Sequence, residues 1–452
     1  MSHSFPCKAP GLLALTLLPL AAQAAPLAQV SPWHFPLRLA VALVIGLIGL
    51  YALRHLTMAN NRLFVRQYQD YAHIVDADWP LLTVLVPAHN EEAVVGDCLA
   101  ALLRADYPAE RLRIVPVNDR SSDQTRFIID ALALRWPQRI QPLHRSGGMP
   151  GKAAALAEAM ALVQGELVLI FDADYLPAPA LLKKLVAPFF DPEVGCVMGR
   201  VVPVNRGTNL LTRLLDLERT GGYQVNQQAR MNLALVPQYG GTVGGVRMRA
   251  LREVGGWNVH SLTEDTDLTL RMARLGWTTA YVNDCECFEE VPETWPARVR
   301  QISRWAEGHN TVMVGHLAGL LRSPSLGWRR KLDGALLLGV YLMAPVLLLG
   351  WLCVALLYFF DPDPLGAGLM VLLTLVGYGT LGNFAAFYEI AVGAHLDGNA
   401  ARLRLLPLNC LGFLVSLFAI SGATARQLLR YLSGRRGQLH WMKTPRFRRP
   451  RP

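Results

Sequence analysis

The sequence predicts an α/β domain of Rossmann-like layering, set between membrane helices at its N- and C-terminal ends. Three observations lead there. Hydrophobic residues make up 52% of the 452 and charged residues 17%, and the apolar ones gather in uninterrupted runs toward the two ends. The middle instead alternates short β-rich runs with amphipathic helical stretches, the pattern of a mainly parallel sheet. The polar motifs of that middle fall where strands end and helices begin, the edge at which such sheets bind ligands.

Residues 1–30 hold the first apolar run. It follows Lys8 and ends in Ala22, Gln23, Ala24 and Ala25, which fits a cleavable signal peptide and a first membrane helix equally. A second run predicts a membrane helix over 35–54, closed by Arg54. Either reading of the first run leaves the chain after Arg54 in the cytoplasm. Strands are expected at 81–86, 112–117, 166–171 and 196–202, and helices at 91–103, 123–133, 152–163 and 265–275, within one domain over 79–306. An amphipathic stretch at 309–321 predicts interfacial helices over 307–332. Apolar segments at 334–360, 365–394 and 405–432 form a membrane region over 333–432. Three full crossings would carry the basic tail 433–452 outside, so one segment is expected to be re-entrant or interfacial, and Pro407 points to the last.

The formal net charge is +10, but the excess sits beside the apolar runs, at Arg54, Arg62 and Arg66 and then at Arg426, Arg430, Arg435 and Arg436. Basic flanks of that kind meet the cytoplasmic face and its anionic lipids. No basic stripe interleaved with aromatics is present, so nucleic acid is excluded as a partner. The seven cysteines are scattered, and the lone Cys285-x-Cys287 pair falls short of a four-ligand zinc site.

Six polar motifs carry the chemistry. At the first strand end stands His89-Asn90-Glu91-Glu92, which could bind a ribose or base edge; Asn90 reads equally as a helix N-cap. Asn118-Asp119-Arg120 follows the next strand, where the Asp119 carboxylate can accept an N–H from a base. Gly147-Gly148-Met149-Pro150-Gly151-Lys152 opens a helix, so its backbone amides and Lys152 can approach phosphate. It lacks P-loop spacing and the terminal Ser or Thr, which disfavours ATPase chemistry. Asp172-Ala173-Asp174 ends an apolar strand, and two carboxylates so close repel unless one protonates or a cation lies between them; a hard divalent ion meets that need, and a solvated loop is the other reading. Thr263-Glu264-Asp265 begins a helix and offers Asp265 as a base, although the helix dipole favours acids there for structural reasons equally. In Gln301-Ile302-Ser303-Arg304-Trp305 the guanidinium can neutralise diphosphate and the indole can stack on a sugar or anchor at a bilayer.

In this order and spacing the motifs resemble the membrane-embedded family 2 glycosyltransferases of GT-A fold, the group of cellulose, chitin, hyaluronan and poly-N-acetylglucosamine synthases. The resemblance covers roughly residues 81–305, and the run of D-x-D, T-E-D and Q-x-x-R-W is its specific part. It implies uridine contacts at Glu91 and Asp119, diphosphate and Mg2+ or Mn2+ at Asp172 and Asp174, and Asp265 as the base. Gln301, Arg304 and Trp305 would line the acceptor terminus. Trp441 to Arg446 resembles, loosely, a gating segment over the donor. The family's D-D-G-S-x-D is altered here, with Asn118 and Arg120 replacing the first Asp and the Gly while Asp119 is kept. The implied activity is inverting transfer from a UDP-sugar to a growing polysaccharide exported through the membrane segments, with export subunits as further partners. Single-transfer glycolipid synthases such as glucosyl-diacylglycerol synthases share Arg304-Trp305-Ala306-Glu307-Gly308, so a lipid acceptor is the alternative. A multi-pass inner-membrane enzyme with a cytosolic catalytic domain is expected in both cases.

Overall fold

The computed structural model describes residues 33–434 apart from 66, 68–70, 72, 75–76 and 362. The signal-like segment over 1–30 and the tail bearing Trp441 to Arg446 lie outside the described residues.

Four expected strands form, as β1 (Leu82–Ala88), β2 (Leu112–Asp119), β4 (Leu167–Ile170) and β6 (Val194–Pro203). Four others join them: β3 (Leu143–Arg145), β5 (Leu176–Pro177), β7 (Gly244–Arg247) and β8 (Thr278–Glu289). The eight make one sheet in the order β3-β2-β1-β4-β7-β6-β8-β5. Pairs β2–β3, β1–β2, β1–β4 and β6–β8 are parallel, whereas β7 runs antiparallel to both its neighbours. Sequence periodicity missed β7 because Gly-Gly-Val-Arg carries a single large apolar residue. Its glycines fit the central position: a Cβ on Gly244 or Gly245 would run into the Val197 or Val168 carbonyl oxygen.

Both faces of the sheet are covered, which explains the near-continuous apolar runs of β1, β2 and β4. Along β1, Val84 and Val86 point into one core with Leu99 and Leu102, and Leu85 points into the other with Val115, Leu156 and Ile170. The helices Thr125–Arg135, Lys152–Ala159 and Glu264–Arg274 lie within a turn of their expected places. The first helix starts later, at Val95, because Asn90 and Arg120 both adopt positive φ of 56° in the turns that leave β1 and β2. Those turns stitch to each other: the Ser122 amide donates to Asn90 Oδ1 at 2.7 Å and the Gln124 amide to Glu92 Oε2 at 2.9 Å. Asn90 therefore braces a neighbouring loop and caps no helix.

Three described helices are long and apolar enough to cross a membrane: His34–Phe64, Trp328–Phe360 and Ala400–Leu432. Shorter apolar helices, Leu365–Val376 and Phe384–Leu396, lie between the last two. Trp328–Phe360 tightens to a 3-10 turn at Val340–Leu342. Pro345 accounts for it, since its ring opposes the carbonyl of Tyr341, four residues back. The first of these helices continues past the expected end at Arg54 to Phe64, and there it meets the α/β domain through Arg62, whose Nε donates to the Gln224 carbonyl at 2.6 Å. Arg200 of β6 likewise reaches Asp397, just after Phe384–Leu396, at 2.5 Å. The expected interfacial stretch is no separate element: one helix, Trp295–Arg322, runs through it and carries Gln301, Arg304 and Trp305.

Candidate active site

A cavity of about 1650 Å³ opens along the carboxyl ends of the parallel strands, and it is lined by Glu91, Asp119, Lys152, Asp172, Asp174, Asp265, Gln301, Arg304 and Trp305. All nine predicted residues thus converge, although six separate stretches of chain supply them. Glu91 and Asp119 arrive from the turns after β1 and β2, and Asp172 and Asp174 from the end of β4. Gly151, at φ +111°, sharply turns the glycine-rich loop into the helix that Lys152 begins.

Charge around Asp119 and Asp172 is tightly matched. Lys152 Nζ lies 2.5 Å from Asp172 Oδ1. Burial works against the ammonium, but Asp172, Glu264 and Asp265 outweigh it and hold the Lys152 pKa above the ordinary lysine value. Asp119 Oδ1 accepts from Arg145 at 2.8 Å and from Arg120 at 2.9 Å, and Oδ2 accepts the Gly151 amide at 3.1 Å. The departures noted around Asp119 thus have a physical role: Arg120 shares in neutralising the carboxylate that anchors the glycine loop. Asp172 and Asp174 both face the cavity, with Asp174 buried. Among the described residues no group of three or more His, Cys, Asp or Glu side chains is set to hold an ion. A hard divalent cation needs only one or two carboxylates when a substrate diphosphate completes its shell, so this pair fits one.

Asp265 sits in the first turn of Glu264–Arg274, where its Oδ1 accepts the Thr266 amide at 2.6 Å. Burial pushes its carboxyl up from the usual range, against the pull of the Thr266 hydrogen bonds and of Lys152. Glu264 is raised too, by burial and then by Asp265 beside it. The third acid of this turn, Asp267, turns away to Arg271 at 2.6 Å and His316 at 2.8 Å.

The loop before β7 ties the two acidic groups together. The Asp172 amide donates to Thr242 Oγ1 at 3.0 Å, and Gly241, at φ +74°, leaves so little room beside Asp265 that a Cβ there would stand 3.1 Å from the Asp265 Cβ. Sequence reading passed over this segment, although the run Gly240-Gly241-Thr242-Val243-Gly244-Gly245 was a visible sign of close backbone approach.

Trp305 is more occupied than a bare stacking platform. The guanidinium carbons of Arg219 and Arg298 stand 5.3 Å and 5.6 Å from its ring centre, in the range of cation–π attraction. Arg219 is held at 2.6 Å by Glu289, which also accepts from the Tyr175 hydroxyl at 2.8 Å, and Arg298 is held at 2.6 Å by Glu218. None of these five lay in a recognised motif. Leu337, Val340 and Tyr341, from the apolar Trp328–Phe360 helix, close the same end of the cavity.

Known proteins agree with this architecture. Over 242 residues the chain is 33% identical to "Probable glycosyltransferase YdaM" of Bacillus subtilis (strain 168), covering 53% of this chain and 57% of that protein. Over 255 residues it is 33% identical to "Beta-monoglucosyldiacylglycerol synthase" of Synechocystis sp. (strain ATCC 27184 / PCC 6803 / Kazusa), covering 56% and 53%. It therefore spans about half the length of the curated relatives it matches. Among solved structures, the mannosyltransferase PcManGT from Pyrobaculum calidifontis, in complex with GDP-Man and Mn2+, superposes with a TM-score of 0.56 at 23% identity, over 79% of this chain and 97% of that one. That likeness establishes the GT-A fold. The family described as "Glycosyltransferase like family 2" matches residues 80–308, half of the chain and the whole of the cavity's polar lining up to Trp305, so this chain belongs to that family and is a glycosyltransferase.

Proposed function

We propose that the chain transfers a sugar, with inversion, from a nucleoside-diphosphate sugar to an acceptor presented at the membrane. The observation that carries this is the convergence of Asp172, Asp174 and Asp265 on one cavity with the Arg304–Trp305 pair. Glu91 and Asp119 stand where a uridine would enter, and Lys152 beside Asp172 is placed to move onto the diphosphate. Asp172 and Asp174 would hold Mg2+ or Mn2+, which when bound offsets the charge of the departing diphosphate. Asp265, made more basic by burial, takes the proton of the attacking acceptor hydroxyl. Attack on the face opposite the leaving group inverts the sugar carbon. Arg304 adds positive charge at the diphosphate, and Trp305, steadied by Arg219 and Arg298, borders the acceptor.

Two acceptor classes have support. The apolar wall of Leu337, Val340 and Tyr341 beside Trp305 favours a lipid-borne hydroxyl, as does the similarity to the glucosyldiacylglycerol synthase. A growing polysaccharide exported through the apolar helices is the other reading; "Glucomannan 4-beta-mannosyltransferase 7" of Arabidopsis thaliana is 29% identical over 271 residues. The three apolar helices support placement in a membrane, and the arginines flanking them, Arg54, Arg62, Arg426 and Arg430, support a catalytic domain on its cytosolic face. Purified full chain supplied with a panel of UDP- and GDP-sugars tests the reading. Donor-dependent nucleotide release that vanishes in Asp265→Asn is expected, and undiminished release in that variant would refute it. A single glycolipid product supports the lipid acceptor, and a ladder of oligomers the polysaccharide.

A further inference from the structure

Away from the active site, a second pocket of about 550 Å³ lies between the C-terminal ends of the Glu264–Arg274 and Trp295–Arg322 helices. Its charged lining is Arg271, Arg274, Arg322 and Glu253. Arg271 is already neutralised by Asp267 at 2.6 Å, and Glu253 accepts the Trp277 indole N–H at 3.1 Å. Arg274 and Arg322 have no ion pair among the described residues. Gly319 lets the first of them in: a Cβ there would stand 2.7 Å from the Arg274 guanidinium carbon. Two unclaimed guanidinium groups thus face one hollow, and each is suited to bidentate contact with phosphate.

The pocket stands at the mouth of a membrane span. Arg322 precedes the 33-residue Trp328–Phe360 segment by six positions, and Trp328 is 73% exposed. At 1.5 Å per residue that segment is about 50 Å long, well beyond the ~30 Å of a hydrocarbon core. Its first turns carry Arg329, Arg330, Lys331 and the buried Asp333, and basic residues flanking an apolar helix are expected near the anionic head groups of the cytosolic leaflet. Leu321, Trp328 and Leu332, all exposed, supply apolar contact beside the cations.

We propose that Arg274 and Arg322 form a binding site for the phosphate head group of an anionic phospholipid, which fixes the catalytic domain's rim against the bilayer. The proposal rests on the membrane placement above and is separate from the transfer chemistry. Native mass spectrometry of the full chain, released from detergent with phosphatidylglycerol or phosphatidylcholine, tests it. Wild type should retain phosphatidylglycerol in preference, and Arg274→Ala with Arg322→Ala should weaken that binding about thirtyfold, at the attraction each basic side chain feels near an anionic leaflet. The paired Lys variant, which keeps both charges, should recover most of the preference and so rules out a folding defect. Equal retention of the two lipids by wild type, or an undiminished preference in the Ala variant, would overturn the site. Displacement of phosphatidylglycerol by millimolar inorganic phosphate would assign the pocket to a soluble anion and overturn it as well. Loss of wild type from the membrane fraction on carbonate washing would instead sink the membrane placement itself.

Discussion

Replacing Gly241 by alanine probes the placement of Asp265 from a position that bears no reactive group. Gly241 has φ +74°, and a methyl there would stand 3.1 Å from the Asp265 Cβ and 3.2 Å from Oδ2. The carboxylate must then yield by a few tenths of an ångström. Misplacing a reacting group by about 1 Å costs on the order of 100-fold, so a shift of this size should lower kcat by about three- to tenfold. The left-handed backbone adds roughly 1–2 kcal/mol of strain, which lowers Tm by a few degrees. Gly255→Ala isolates that second effect. Gly255 has φ +84° and nothing within 4 Å of its Cβ, so its variant should lose similar stability and keep the wild-type kcat. Nucleotide release at saturating donor, with melting curves on the same detergent samples, reads both quantities. Equal kcat values in the two variants would refute the contact between the glycine loop and the base.

Asp265→Asn should lower kcat by about 10²–10⁴-fold with Tm preserved, the range for a lost general base. Because burial raises the Asp265 pKa, the active carboxylate is lost as pH falls through that raised value; the acid limb of the wild-type kcat profile should therefore lie above the ordinary aspartate value near 4, and a limb at or below it counts against Asp265 as the base. Asp267 behaves in the opposite way. Burial works against its charge, but His316, Arg271 and Asn258 outweigh it and hold its pKa below the usual range. Its contribution is present above about pH 4 and disappears as pH falls through the lowered value. Asp267→Asn should accordingly cost about 3 kcal/mol of stability at neutral pH, with kcat retained and the gap from wild type closing in acid, all readable by thermal melts across pH. Chelation should abolish nucleotide release and Mn2+ or Mg2+ restore it in wild type, whereas Asp174→Ala should need far more metal for half-maximal rate; equal metal dependence would remove Asp174 from the ion's shell.

Local pattern made much of the domain legible. The alternation that located β1, β2, β4 and β6 depends only on burial of both sheet faces, and the Asp172–Asp174 pair betrays itself because adjacent charges at the end of an apolar strand repel unless a proton or an opposite charge relieves them. The helix start at Val95 was hidden because the turns after β1 and β2 brace each other across more than 30 residues of chain. Trp305 was foreseen, but its partners Arg219 and Arg298 were not, since nothing in their own neighbourhoods distinguishes them from surface arginines.

The order of the six polar motifs was legible in the amino-acid sequence alone, because the residues of each lie side by side in the chain and five of the six sit at a strand end or a helix start. Only the tertiary structure decided that β7 runs antiparallel through the middle of the sheet, carrying Gly241 against Asp265 and Thr242 against Asp172. It likewise decided that an apolar helix walls the Trp305 end of the cavity. Both depend on contacts between segments far apart in sequence, where backbone space and charge pairing, rather than periodicity, select the partner.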